Sequence, residues 1–316
     1  MINLTFLETF VWVARLGSFT RAAERVGTTQ AAVAARIAAL EDELGVQLLI
    51  RENRRLKLTH EGIQALSGAE QLLNSARGFV EEVTGQDRMR GTVRIGVIDT
   101  ITYTWLIDLM RVSRRRFPGL GIELLADTSL RLIDALRTGD IELALIMGPV
   151  PDPNFVNLEL CSYACHWVAA PELGLAGRQL GAKELAELPL ISFPKGSQPY
   201  GYLDRHFRNL GHRNPVIYAG NSLASIIRLA VDGLGVATIP PVVAPRELAR
   251  GELVLLSADQ PIPPMRMHAV YLDGPSRDLP ATMAGLARDV AHDFLRRSDP
   301  ELAWDRALQA TNEGPK

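Results

Sequence analysis

Reaction chemistry has little to stand on in this chain. The patterns GxSxG, HExxH and GxxxxGKS/T are absent, which excludes a nucleophile elbow, a zinc-protease helix and a phosphate-binding P-loop. Gly233 and Gly235 sit at a predicted helix end, where glycine is expected without any nucleotide. The six histidines show no metal-ligand spacing, so no metal, cofactor or catalytic residue is assigned and the chain is expected not to be an enzyme. Cysteine is scarce too. Cys161 and Cys165 share the strand-like run NLELCSYACHWVAA. Their α-carbons would lie about 13 Å apart in extended chain, too far for a disulfide. Buried, reduced thiols are the expectation, with redox sensing or metal binding alongside His166 as the alternative. No apolar run approaches the length of a membrane span, and Glu8 and Arg15 interrupt the first helix where a signal peptide would stay apolar. A cytoplasmic protein without a membrane partner is expected. The formal net charge is only −2 over 316 residues, so any nucleic-acid contact must come from a local patch. That length also suits more than one core-bearing unit.

What is present begins around Ser18. Ahead of it, Phe6, Phe10 and Val13 set a helical apolar period that the Gly17-Ser18 pair ends. A short second helix follows, capped by Ser18 or Thr20, with Ala22 and Ala23 small enough for a close crossing and Val26-Gly27 as its stop. Thr28 is placed to cap a third helix, in which Val33, Ile37, Leu40 and Leu44 form one buried stripe. The opposite face starts with Thr28, Thr29, Gln30, Ala31 and Ala32 and carries Arg36 one turn on. Small residues let such a helix enter a major groove closely, while Gln pairs with adenine edges and Arg with guanine or phosphate. After Gly45 the run LLIRENRRLKLT reads as a hairpin carrying Arg51, Arg54, Arg55 and Lys57 against Glu52, a basic wing for the phosphate backbone. Any one helix alone would be read as part of a small bundle. In this order they read as a winged helix-turn-helix.

These residues resemble the LysR-type transcriptional regulators. The resemblance is carried by FxxVARLGSFTRAAERV at 10–26, ALEDELGVQLL at 39–49 and LTHEG at 58–62, and it extends to about residue 297. Where the family's recognition helix often carries a serine and a basic residue, this chain has Ala34 and Ala35. The resemblance thus implies two fewer base or phosphate contacts here, for which Arg36 and the wing arginines are expected to compensate. Leu49 stands where the family often has Phe, a packing change of little functional weight.

Thr59 is expected to cap a long helix running to about Val83, with Glu61 in its first turn. Leu66, Leu73 and Val80 repeat every seven residues, as do Ala69, Ala76 and Val83, giving a thin apolar seam. The seam would serve either packing on the chain's own effector domain or pairing with a second copy. Pairing is preferred, because two heads must be held at fixed spacing to read two half-sites. Thr84 to Asp87 form a polar joint.

From Thr92 short apolar strands alternate with helices. The segments 92–98, 122–127 and 142–148, with helices at 103–117 and 130–138, make one βαβαβ array. A second array starts near Leu190, and the chain returns through MRMHAVYL at 265–272 to a closing helix of about 280–297. Departure and return imply two α/β subdomains joined by crossovers near 159–169 and 262–270, a periplasmic-binding-protein-like plan that the LysR resemblance also implies. Ligands of such domains bind between the subdomains. Four loops point there: Asp99 to Thr102, Thr128-Ser129, Phe193 to Ser197, and Asn221-Ser222. Their hydroxyls and helix starts favour an anion, and with apolar neighbours at Ile101, Met147, Phe193 and Ile239 the site would suit a small organic acid. The candidate effector residues are Thr100, Ile101, Thr102, Thr128, Ser129, Met147, Phe193, Lys195, Ser197, Asn221 and Ser222. Taken singly, each loop needs nothing more than ordinary helix capping. An ionised, inward-pointing Asp99 would repel an anion, and could instead hold a polar ligand group or face away.

The expected fold is thus α/β with an all-α, winged head. Residues 1–59 form the DNA-binding head, 60–90 the linker helix and hinge, and 91–297 the effector domain. Subdomain I takes about 91–160 and 268–297 and subdomain II about 161–267, leaving 298–316 as a polar helical tail without assigned role. The expected partners are double-stranded DNA bearing an interrupted inverted repeat, a small-molecule effector and a second copy of the chain. The resemblance implies a tetramer, and RNA polymerase is a candidate partner. The competing class is a cytoplasmic α/β binding protein or enzyme whose head serves self-association.

Overall fold

The computed structural model describes residues 2–52, 55–66, 68–69, 72–73, 76, 91–209, 211, 216–259, 261–274 and 277–305. The head begins with α1 (Leu4–Leu16), α2 (Phe19–Arg25) and α3 (Gln30–Leu44). Their ends are set by side chains and by glycine. Asn3 and Ser18 accept the free N–H groups of the first two helices, and Gly17 closes α1 at φ 59°, a left-handed turn that costs glycine least. Thr29, not Thr28, caps α3, its hydroxyl oxygen accepting Ala32 N–H at 3.2 Å. Thr28 lies one residue too early, in the turn, where its N–H donates to the Ala23 carbonyl at 2.9 Å.

Phe10, Val13, Ala22, Ala23, Val33, Ile37, Leu40 and Leu48 make up the head's core. Leu44, expected on the same stripe, is 38% exposed, because α3 has by then passed the end of the core. A two-stranded wing follows, β1 (Leu49–Glu52) against β2 (Arg55–Leu58), in antiparallel register from Leu49↔Leu58 to Glu52↔Arg55.

The linker helix, α4, is helical over 60–66 and again at 68, 69, 72, 73 and 76. The expected joint and the seam residues Val80 and Val83 lie outside the described residues. Gly62 explains part of the LTHEG run. A Cβ there would meet the Leu48 carbonyl oxygen at 2.1 Å, so only glycine lets α4 start against the wing. Ala69 and Leu73, expected on the seam, are buried in the head's own core, while Ile63 and Leu72 stay exposed. The first part of α4 therefore faces the head.

The effector domain starts with β3 (Gly91–Val97), α5 (Asp99–Thr102), α6 (Leu106–Arg116), β4 (Leu120–Ala126), α7 (Ser129–Thr138) and β5 (Leu143–Met147). The helix expected over 103–117 is α6, which starts three residues later, at Leu106, after the separate single turn of α5 that ends before Tyr103. Trp105 fixes this corner: its indole N–H donates to the Tyr163 hydroxyl at 2.8 Å, with both side chains fully buried.

Two long strands, β6 (Phe155–Ala169) and β12 (Ile262–Leu272), run antiparallel through the domain. The first part of β6 pairs with β12, which in turn pairs with β5. Its last part, His166 to Val168, pairs instead with β10 (Val236–Ile239). One strand thus belongs to both subdomains. The second subdomain adds the short β7 (Gln179–Leu180), α8 (Ala182–Glu187), β8 (Leu190–Ser192), α9 (Gln198–Asn209), β9 (Val216–Ala219), α10 (Leu223–Val231), α11 (Pro245–Ala249) and β11 (Val254–Ala258). The parallel pairs β3 with β4 and β5, and β8 with β9 and β10, leave helix starts at the carboxyl ends of strands, facing the gap between subdomains.

α12 (Asp278–Leu295) then packs on the first sheet. The tail differs from expectation. Instead of a polar helix, Ala303 and Trp304 form β13 along β6, opposite Tyr163 and Ser162. A free strand edge and a buried Ala303 outweigh the polar composition around them. Residues 306–316 lie outside the described residues.

Candidate functional site in the head and in the cleft

In the head, α3 presents an exposed Thr29, Gln30 and Ala31 at its start, followed by exposed Ala34, Ala35, Ala38 and Ala39. The Gln30 amide oxygen accepts the Thr20 hydroxyl at 3.2 Å, which holds the side chain while its amide N–H groups remain available as donors. Ala32 is half-buried beside it. Arg36 is placed differently from expectation: its guanidinium donates to the Thr9 hydroxyl at 3.2 Å, and Thr9 in turn donates to the Thr5 carbonyl at 2.7 Å. This ties Arg36 back to α1. The outer surface of α3 is consequently a smooth alanine face with one amide at its leading edge. In the wing, Arg51 and Arg55 lie on β1 and β2, and Lys57 faces Ile50 in the register. Arg54, and the side chains of Arg51 and Arg55, lie outside the described residues.

In the effector domain, a cavity of about 60 Å³ lies between the subdomains. Of the residues expected there, Thr100, Thr128, Ser129, Met147, Phe193, Ser197 and Asn221 line it together. The other four do not reach it. Ile101 is buried in the first subdomain's core, Thr102 donates to the Ile98 carbonyl, Lys195 is exposed, and Ser222 caps α10 by accepting Ser225 N–H. The lining hydroxyls also hold backbone: Thr128 accepts Arg131 N–H at 3.4 Å, Ser129 accepts Met147 N–H at 3.2 Å, and Ser197 accepts Tyr200 N–H at 3.3 Å. These bonds and cavity lining are compatible, because each hydroxyl keeps its own proton to donate.

Two carboxylates outside the expected set, Asp99 and Asp127, also line the cavity. Asp99 crosses the cleft and accepts the first N–H of α10, from Leu223, at 2.9 Å. Asp127 accepts Thr128 N–H at 2.7 Å. No lysine, arginine or histidine lines this cavity among the described residues. That lining, among the described residues, offers a small organic acid no cationic side chain, and the Leu223 N–H at the start of α10 is already taken by Asp99. The sequence signal for Asp99 is its place before a helix. Asp127 is marked by its position at the end of the β4 strand, next to a capping threonine.

Comparison with known proteins identifies both halves. Residues 4–63 match the model of the bacterial regulatory helix-turn-helix protein, lysR family, and residues 86–288 match the LysR substrate binding domain. The chain belongs to the LysR family. Among its LysR-family relatives is the transcriptional regulator PtxR of Pseudomonas aeruginosa, 31% identical over 278 residues, 85% of this chain and 86% of the relative. A probable hydrogen peroxide-inducible genes activator of Mycobacterium avium is 30% identical over 275 residues, 86% of this chain and 88% of the relative. A full-length OxyR variant from Pseudomonas aeruginosa shares the fold at a TM-score of 0.61 and 22% identity, covering 92% of this chain and 95% of that one. This LysR-family chain is accordingly a DNA-binding transcriptional regulator with a helix-turn-helix head and an effector-binding domain. The two matched models are those of a DNA-binding regulatory head and a substrate-binding domain. The reading of the head as a self-association module is set aside.

Proposed function

We propose that two heads of an oligomer bind the half-sites of an interrupted inverted repeat, and that a small molecule in the interdomain cleft shifts the relative arrangement of the subunits. Exposure of Gln30 at the leading edge of α3, held by Thr20, is the observation that carries the DNA-reading part. Thr28, Thr29, Ala31 and Ala32 frame the approach, the alanine face meets thymine methyl groups, and Arg51, Arg54 and Arg55 neutralise phosphates. Arg36 acts through α1, as a support for α3. Binding beside promoters places RNA polymerase within reach, and the site of action is the cytoplasm. No helix among the described residues is long and apolar enough to cross a membrane. A ligand acts by binding the two subunit arrangements with different affinity, the sole way binding energy can move such an equilibrium.

The test is competition between cognate and random duplexes. Gln30→Ala is expected to narrow the preference for cognate DNA by about 1–3 kcal/mol, the size of one bidentate base contact, with little change on random duplex. An unaltered preference would remove Gln30 from base reading.

A further inference from the structure

Reading the cleft as the effector site, we propose that it takes a small primary ammonium compound, whose N–H groups are shared among the carboxylates of Asp99 and Asp127 and the hydroxyl of Thr100. Thr100 is only 2% exposed, its side chain lines the cavity, and its hydroxyl has no hydrogen-bond partner among the described residues. A hydroxyl that opens on a cavity without a protein partner is free to accept from, or donate to, a ligand there. Asp99 and Asp127 each spend one carboxylate oxygen on a backbone N–H, at 2.9 and 2.7 Å, and retain acceptor capacity for a donor from the cavity.

Charge decides the ligand's sign. The starts of α7, α9 and α10 contribute about half a positive charge each. Against them stand two full carboxylate charges, and no basic side chain lines this cavity among the described residues. The sum is negative. The N–H of Leu223, where a ligand carboxylate would dock on α10, is already taken by the chain's own carboxylate. Arg205 belongs to an adjoining, wider groove of about 500 Å³ that shares Met147, Ser197 and Pro199 with the inner cavity. The inner space of about 60 Å³ has room for about four to six non-hydrogen atoms, at about 10–15 Å³ for a water-sized group. Met147, Phe193 and Met265 offer an apolar wall for a short carbon chain.

The experiment uses the full-length protein and three probes of matched size: propylammonium, propanol and propionate. Each is titrated at neutral pH, with melting temperature and calorimetric affinity as readouts. Propylammonium is expected to raise the melting temperature and to bind about tenfold or more weakly to Asp99→Asn and to Asp127→Asn. Asparagine keeps an oxygen for Leu223 N–H, so Asp99→Asn removes the charge while preserving the cleft contact. Unchanged propylammonium affinity in both variants would overturn the proposal. A propionate response that exceeds the propylammonium response and is lost in Thr100→Val would overturn the ammonium class while keeping the cleft as effector site. No response to any probe would overturn the ammonium class and the effector-site reading together.

Discussion

The thiols of Cys161 and Cys165 are 1% and 7% exposed on β6, and burial pushes both up to about 12. A thiol so far from its thiolate reacts slowly with peroxide. The name of the mycobacterial relative refers to hydrogen peroxide, and these two side chains are chemically unsuited to sense it. Treatment of the native protein with hydrogen peroxide is expected to leave both thiols unmodified by mass spectrometry and DNA binding unchanged; rapid modification of either would refute this. Burial on a strand is readable from the apolar run around the cysteines, as is their separation beyond disulfide reach. Other residues are harder to place. Arg36 has the same spacing whether it faces a groove or α1, and only the position of Thr9, 27 residues earlier, decides between them. Asp99 reads from sequence as a difficulty for an anion, but its bond to Leu223 joins residues 124 positions apart, which no local pattern can reveal.

Elements are legible wherever periodicity and caps agree. α1, α3 and α7 start and stop at recognisable residues, and strand alternation marks the two α/β arrays. β6 and β12 are readable as crossovers, though not as long continuous strands, nor β6 as one strand shared by both subdomains. α4 shows the limit: a seven-residue apolar repeat does not say which body it packs against, and here Ala69 and Leu73 turn toward the head. The wing carries a prediction of its own. Arg54→Ala combined with Arg55→Ala should weaken binding to cognate and random duplexes alike. It should also reduce the salt slope by about 0.9 for each phosphate that is no longer neutralised. An unchanged slope would assign the wing another role.

At the scale of the whole molecule, head and effector domain share a charged contact. Arg25 of α2 reaches Glu142 at 2.8 Å, and Glu142 also receives the backbone N–H of Arg94 at 2.7 Å. Burial pushes the Glu142 carboxyl up, but hydrogen bonds and charge from Arg94 and Arg25 outweigh it and hold the group below the usual carboxylate range. α7 runs from the cavity, at Thr128 and Ser129, to its last turn, where the Arg137 carbonyl accepts the Arg21 guanidinium at 3.3 Å. α7 thus connects residues that line the cavity with a hydrogen bond to the head. The two-domain plan is legible from the change of periodicity at Thr92, whereas this contact is not, since it joins surfaces that sequence spacing cannot bring together.

The proposed function stands on the head reading a defined DNA sequence. Its most direct test is to incubate the purified oligomer with fragmented genomic DNA at moderate salt and to sequence what is retained. Enrichment of a few intergenic fragments sharing an interrupted inverted repeat is expected. Retention without sequence preference, by folded and oligomeric protein, would contradict it.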